Sequence, residues 1–205
     1  MDPRLPMHGP VTVEREFPFT KADFERVRTL IRERAGIALT AAKENMVYSR
    51  LSRRLRSQGF SRFDDYLAFV ESGDAGEWEA FVNSLTTNLT SFFREAHHFP
   101  LLADLLRSRP RGGTLTIWCT AASTGEEPYS LAITACDAFG TLTPPVRIVA
   151  SDIDTQVLAT AERGIYAEDR WKGLEQAQLR RYFLRGTGRN AGKARVRPEL
   201  QKLID

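Results

Sequence analysis

The stretch Leu115 to Ile133 reads LTIWCTAASTGEEPYSLAI, and its reading decides the fold. Leu115, Ile117 and Trp118 open it with the β-branched and aromatic pattern of a buried strand. The run then breaks into Ala121-Ala122-Ser123-Thr124-Gly125 and restarts as a helix, with Glu126 and Glu127 in its first turn and Pro128 just inside. Acids suit the positive end of a helix dipole, and proline lacks only an N–H that goes unpaired there. Strand, small-residue turn and helix form the first unit of an open α/β sheet. Such sheets bind ligands outside the carboxyl ends of their strands.

The chemistry of the turn narrows the ligand. A phosphate binder offers several glycines and bare backbone N–H groups to the anion. This turn has one glycine followed by two carboxylates, which would repel a pyrophosphate. Hydroxyls and a positive amino or sulfonium group would be accepted. The pattern points away from NAD and ATP and toward S-adenosylmethionine; on spacing alone, an α/β turn without a ligand stays open.

Val146 to Ala150 (VRIVA) is a second short apolar strand, ending in Ser151-Asp152-Ile153-Asp154. An acid at that tip, roughly 20 or more residues after the glycine turn, can accept hydrogen bonds from a ribose diol. Asp154 reads as the cap of the helix Thr155 to Arg163, and Asp152, nearer the strand end, as the ligand.

Three strings now stand in order: TNLTSFFREAHHFPLL (Thr87 to Leu102), STGEEPYSLAI (Ser123 to Ile133) and ASDIDTQVL (Ala150 to Leu158). Together they closely resemble the chemotaxis receptor methyltransferase family, CheR, from about Phe19 to the end. The resemblance implies a small all-α N-terminal domain followed by an α/β Rossmann-like class I S-adenosylmethionine-dependent methyltransferase domain with a small antiparallel β-subdomain. The implied activity is methylation of glutamate side chains on the cytoplasmic domain of methyl-accepting chemotaxis receptors, which leaves S-adenosylhomocysteine and uses no metal.

Composition agrees with a globular protein: 205 residues, 42% hydrophobic and 27% charged. No apolar run approaches the roughly 18 residues that span a membrane, and no signal-peptide core is visible. Cys119 and Cys136 lack metal-like spacing and read as reduced core residues, so a cytoplasmic location is expected.

Residues 1–17, with three prolines, read as a loose arm, residues 18–87 as the helical domain, and residues 88–205 as the methyltransferase domain. Residues 184–205 are expected to begin the β-subdomain. Thr20 and Asp23 form a capping-box pair ahead of Phe24, Val27, Leu30 and Ile31, and Gly36 ends that helix. A second helix is expected from about Ala41 to Gln58, a third from Ser61 to near Gly73, and a fourth carrying Trp78, Phe81, Val82 and Leu85.

On the second helix Val47, Leu51 and Leu55 form an apolar stripe. Arg50, Arg53 and Arg56 fall roughly opposite, with Arg54 at the margin. A solvated face explains such a row, and so does docking; a nucleic-acid surface lacks the interleaved aromatics. In the family this helix faces the receptor's acidic helical bundle, which implies substrate docking by Arg50, Arg53, Arg54 and Arg56.

Between the domains, Asn88, Thr90 and Arg94 bring polar groups and a cation to a junction that favours ligand clefts. The alternative is that Thr90 or Ser91 caps a helix through Leu106, with Phe92 and Phe93 in the core either way. The resemblance implies that Asn88, Thr90 and Arg94 contact the methyl donor, with Glu127 and Asp152 completing its site. Arg94 is the catalytic candidate, with two roles open: orienting the substrate carboxylate or holding the donor's own. His97 and His98, adjacent on a helix, diverge by about 100° and cannot share a metal.

Ile165 to Trp171 reads as irregular and Gln176 to Phe183 as a short helix. The glycines of Arg185 to Val196 (RGTGRNAGKARV) mark a hairpin turn, with Ala194-Arg195-Val196 returning. In some family members this edge takes a strand from the receptor's C-terminal tail peptide. The sequence stops at LQKLID, where a further strand is expected to begin, so either a fragment of a longer protein or a sheet completed by another copy or chain is expected, the fragment being the favoured reading. A non-catalytic receptor-binding module and a nucleic-acid methyltransferase are the competing expectations, the latter resting only on a pI of about 9.0.

Overall fold

A computed structural model describes residues 15–109 and 112–205. The described residues divide into two compact units, one ending at Leu85 and the other beginning at Thr86.

The first unit is helical: α1 (Lys21–Ala35), α2 (Glu44–Gln58), α3 (Phe63–Glu71) and α4 (Ala75–Leu85). The capping box at the start of α1 forms as expected. Asp23 N donates to Thr20 Oγ1 at 3.1 Å, and Thr20 N to Asp23 Oδ2 at 2.7 Å. Gly36 closes the helix in the left-handed conformation, φ 69°. Residues 41–43 form a separate 3₁₀ turn, so the second helix starts at Glu44 rather than Ala41. Val27, Ile31, Val47, Leu51, Leu55, Leu67, Val70 and Phe81 are fully buried and form the core. Of the expected N-terminal arm, residues 1–14 lie outside the described residues. Its last three residues are held: Arg15 pairs with Glu44, Glu16 with Arg56, and Phe17 N donates to Tyr48 Oη at 3.4 Å.

The second unit begins with an irregular segment and then α5 (His98–Ser108). Neither Thr90 nor Ser91 caps this helix; His97 occupies the N-cap position and makes no side-chain cap. Tertiary contacts override the helical pattern upstream. Phe92 sits edge-on to Tyr166 and Phe183, with ring centroids 5.0 and 5.6 Å apart, and Phe93 N donates to Ser130 Oγ at 2.9 Å. Phe93 and Glu95 take left-handed φ of 52° and 53°, which breaks the helical run.

Strand β1 (Leu115–Cys119) pairs in parallel with β2 (Val146–Ala150), joined by α6 (Glu126–Phe139). Strand alternation puts Leu115 and Ile117 against the core and turns Trp118 outward, 68% exposed, so the expectation of a buried Trp118 is corrected. Helix α7 (Thr155–Arg163) follows β2. At the end of the chain Ile204 bridges Ile148 in parallel, on β2.

A second, antiparallel sheet has the order β3-β5-β4, from β3 (Ile165–Ala167), β4 (Phe183–Arg185) and β5 (Lys193–Val196). Between β3 and β4 lie α8 (Glu168–Trp171) and α9 (Gln176–Tyr182), and α10 (Pro198–Gln201) follows β5. The β4–β5 hairpin matches the glycine-rich turn. Two sequence expectations are corrected. Residues 165–171 are a strand and a helical turn, not irregular chain, and the small sheet starts at Ile165 rather than at residue 184. A three-residue strand is too short to show a period; its pairing with Arg195, Ala194 and Lys193 defines it. Among the described residues no helix is long and apolar enough to cross a membrane.

Candidate functional site

The turn after β1 is built by contacts at both of its ends. Ala122 N donates to Ser151 O and Ser151 N to Cys119 O, each at 2.9 Å, so the two strand tips are tied together. Ser123 holds a left-handed φ of 49° and is buried; its N–H donates to Asp152 Oδ2 at 2.8 Å, and its Oγ to Asn88 O at 3.4 Å. Asp152 uses its other oxygen to accept Asp154 N at 2.9 Å. Asp154 is nearly fully buried. Its Oδ1 caps α7 through Gln156 N and Val157 N, and its Oδ2 accepts from Asn88 Nδ2 and Thr86 Oγ1, both at 2.7 Å.

Asn88, Ser123, Asp152 and Asp154 therefore form one network at the carboxyl ends of the parallel strands. Thr90 is half-buried two residues further on. Arg94 is exposed, and its guanidinium donates to Leu89 O at 2.7 Å, closing the loop that carries Thr90. Glu127 is exposed in the first turn of α6, and the Cys119 thiol donates to its Oε1 at 3.6 Å. Burial, and then the Glu127 charge, push the Cys119 thiol up to about 12.

Glu126 is the opposite of Glu127: it has no exposure at all. It stands at the head of the buried stripe of α6, with Tyr129, Ser130 and Ile133 following at helical spacing. A buried carboxylate must be paired, and Arg170 of α8 supplies the cation. Its Nε donates to Glu126 Oε1 at 2.9 Å and its Nη2 to the same oxygen and to Thr124 Oγ1. Arg170 and Tyr166 were not among the residues the sequence singled out. The one available signal was the apolar stripe that drives Glu126 inward and so demands a partner.

The glycine of the turn serves packing. A Cβ on Gly125, at φ 97°, would lie 2.7 Å from Tyr166 Oη and 2.9 Å from the Cα of Ala161. That face is closed by protein and leaves no cradle for a phosphate. The polar groups that remain are the carboxylates of Glu127 and Asp152, the Asn88 amide and the Thr90 hydroxyl. Such a set suits a nucleoside with ribose hydroxyls and an ammonium group, so the residues present fit S-adenosylmethionine and do not suit a dinucleotide.

The arginine row on α2 is less uniform than its spacing suggests. Arg54 Nη2 pairs with Glu77 at 2.5 Å; the Glu77 side chain is 2% exposed and also accepts from Tyr66 Oη at 2.7 Å and Gln58 Nε2 at 2.7 Å. Arg54 thereby holds the helical unit together through Glu77 and keeps 26% of its side chain exposed, as fits its place at the margin of the arginine face. Arg50 Nη1 reaches Ser84 O at 3.4 Å, and Arg56, though exposed, pairs with Glu16. Arg53 is exposed and takes part in none of the ion pairs of the described residues.

Comparison with known proteins follows the same division. Residues 22–86 match the all-alpha domain of CheR methyltransferase, and residues 88–205 match its SAM binding domain. The chain is 56% identical over 189 residues to a chemotaxis protein methyltransferase of Klebsiella aerogenes, covering 92% of this chain and 64% of that protein. It is 55% identical over 185 residues to one of Escherichia coli, covering 90% of this chain and 64% of that protein. Chemotaxis protein methyltransferase 2 of Pseudomonas aeruginosa is 52% identical over 198 residues, covering 96% of this chain and 70% of that protein. The chain thus spans a little under two thirds of the length of the first two relatives.

Proposed function

The chain belongs to the CheR methyltransferase family, and on that premise we propose that it serves S-adenosylmethionine-dependent methylation of glutamate side chains on chemotaxis receptors. The observation that carries this reading is the turn between β1 and α6. Its exposed acid, Glu127, and the strand-tip Asp152 offer acceptors where a phosphate site would offer donors. When bound, the donor supplies a methyl group already activated on a sulfonium.

The work left to the protein is orientation and exclusion of water. A glutamate side chain, with a reference pKa of about 4.3, is the nucleophilic carboxylate near neutral pH, so no general base is needed. Asn88, Thr90, Glu127 and Asp152 would hold the donor, and Arg94 would orient either the substrate carboxylate or the donor's own. Paired N–H donors of a guanidinium can align a carboxylate in line with the methyl group. Arg53, with Arg50 and Arg56 beside it, offers positive charge to an acidic helical bundle and raises the encounter rate more than the final affinity.

The small antiparallel sheet is the candidate surface for the receptor's C-terminal tail peptide. It has edge strands at β3 and β4, and beside β4 lies a cavity of about 520 Å³ whose lining includes Trp171, Leu179, Phe183, Arg185 and Lys193. The reaction needs no metal, no nucleic acid and no membrane insertion, and its substrate surface lies in the cytoplasm.

Two measurements test the reading. Titration of S-adenosylhomocysteine into the protein should give one specific site, and a receptor cytoplasmic fragment should receive label from S-adenosylmethionine as a base-labile ester. Donor binding without receptor labelling would favour a docking module; steeply salt-dependent nucleic-acid binding with methyl transfer to it would replace the reading altogether.

A further inference from the structure

We propose that Arg170 is a positioning residue of the donor site: by gripping Glu126 and Thr124 together, it sets the rotation of the turn that presents Glu127. The proposal rests on the donor-site reading above. Arg170 lies in α8, outside every motif that carries the family likeness, and touches none of Asn88, Thr90, Arg94, Glu127 or Asp152 through a described hydrogen bond.

Thr124 is held at both of its polar ends by the segment that follows α7. Tyr166 Oη donates to Thr124 O at 2.7 Å, and Arg170 Nη2 donates to Thr124 Oγ1 at 3.1 Å. Thr124 Oγ1 in turn donates to Glu126 Oε2 at 2.6 Å, while Glu126 Oε1 is occupied by the guanidinium. Three side chains thus close a ring around the first turn of α6. Between Thr124 and Glu126, Gly125 is packed against Tyr166 and Ala161, so the backbone there has no room to swing.

Helix geometry carries this to the ligand side. Successive residues of a helix are rotated by about 100°. Once Glu126 is directed inward at its buried pairing, the azimuth of Glu127 is determined, and it points to solvent. A fork with several fixed donors can hold carboxylate and hydroxyl at once; a single ammonium cannot impose the same geometry.

The competing role is plain neutralisation of a buried charge, and paired variants separate the two. Arg170→Met alone leaves Glu126 buried and unpaired and is expected to lower the melting temperature. The double variant Glu126→Gln with Arg170→Met removes the charge problem at similar volume. Its melting temperature is expected to return to that of the parent, while S-adenosylhomocysteine binds about tenfold more weakly by calorimetry, the size of one charge-assisted hydrogen bond. Arg170→Lys keeps the charge balance and is expected to fold like the parent with affinity reduced several-fold, so the question is answered even if the double variant does not fold. Parent-like affinity in either variant overturns the proposal and leaves the donor site standing. A parent protein that fails to bind S-adenosylhomocysteine overturns the donor-site reading and the proposal with it.

Discussion

Asn88 Nδ2 donates to Asp154 Oδ2 at 2.7 Å, across 66 positions of sequence. The same carboxylate caps α7 with its other oxygen. One buried acid therefore anchors a helix start and orients the amide of a donor-site candidate. With its Nδ2 committed to Asp154, Asn88 keeps its Oδ1 for a ligand donor. Asp154→Ala should lose the cap, typically about 1 kcal/mol, and leave the Asn88 and Thr86 donors short of an acceptor at a further cost of roughly 1–2 kcal/mol. Urea denaturation should show the loss in full. Donor affinity should fall with it, and an unchanged titration with S-adenosylhomocysteine would mean that Asn88 needs no such support.

Arg94 is exposed and its described hydrogen bond is to a carbonyl of its own loop. Arg94→Ala is expected to keep the melting temperature within a degree or two, since surface changes rarely exceed about 0.5 kcal/mol. Turnover on a receptor fragment is expected to drop by roughly 100-fold or more, as misplacement of a reacting group costs that much. Near-normal turnover would remove Arg94 from the reacting centre.

The α2 arginines should divide by role. Glu77→Ala leaves Arg54 and Tyr66 without their shared acceptor and is expected to cost roughly 2–4 kcal/mol, below the fully buried case because Arg54 is still 26% exposed. Arg53→Ala should leave stability alone and weaken receptor association, most visibly at low salt. Denaturation curves and association rates at two ionic strengths distinguish them. Equal stability loss in Glu77→Ala and Arg53→Ala would contradict the division.

The two thiols contribute to an alkaline limit, alongside the buried Tyr66, Tyr129, Tyr166 and Tyr182, whose hydroxyls burial also pushes up. Burial, chiefly, raises Cys119 to about 12 and Cys136 to about 11, from an ordinary value of 9.0. Both stay neutral in the fold while the unfolded chain ionises them, so their contribution is fully present below about pH 9 and is lost as pH rises toward 11 and 12. Urea midpoints should fall over that alkaline window, and replacing both cysteines with alanine should remove the part of the fall that begins near pH 9, leaving the part the buried tyrosines contribute from about pH 10. At pH 8 a disulfide reagent should react with neither thiol until the protein unfolds.

Much of the fold was legible in the sequence because it is written locally. The capping box at Thr20, the left-handed stop at Gly36, the strand–turn–helix at Leu115 to Ile133 and the cap at Asp154 each depend on residues a few positions apart. The composition of the turn, one glycine followed by two acids, pointed to a ligand other than a phosphate, but of the two acids only Glu127 is exposed, because Glu126 is buried against Arg170.

What only the tertiary structure decided involves partners far apart in the chain. The strand at Ile165–Ala167 exists because Lys193–Val196 lies beside it, and three residues show no period of their own. Phe93 and Glu95 leave the helical conformation because Phe92 is seated between Tyr166 and Phe183. Arg54 turns from surface charge to structural pair because Glu77, 23 positions away, is buried beneath it. Arg170 finds Glu126 across 44 positions, and neither local periodicity nor charge spacing can encode a meeting at that distance. Local rules determine which elements form and which groups they display; burial by distant residues decides which of those groups are left for a ligand.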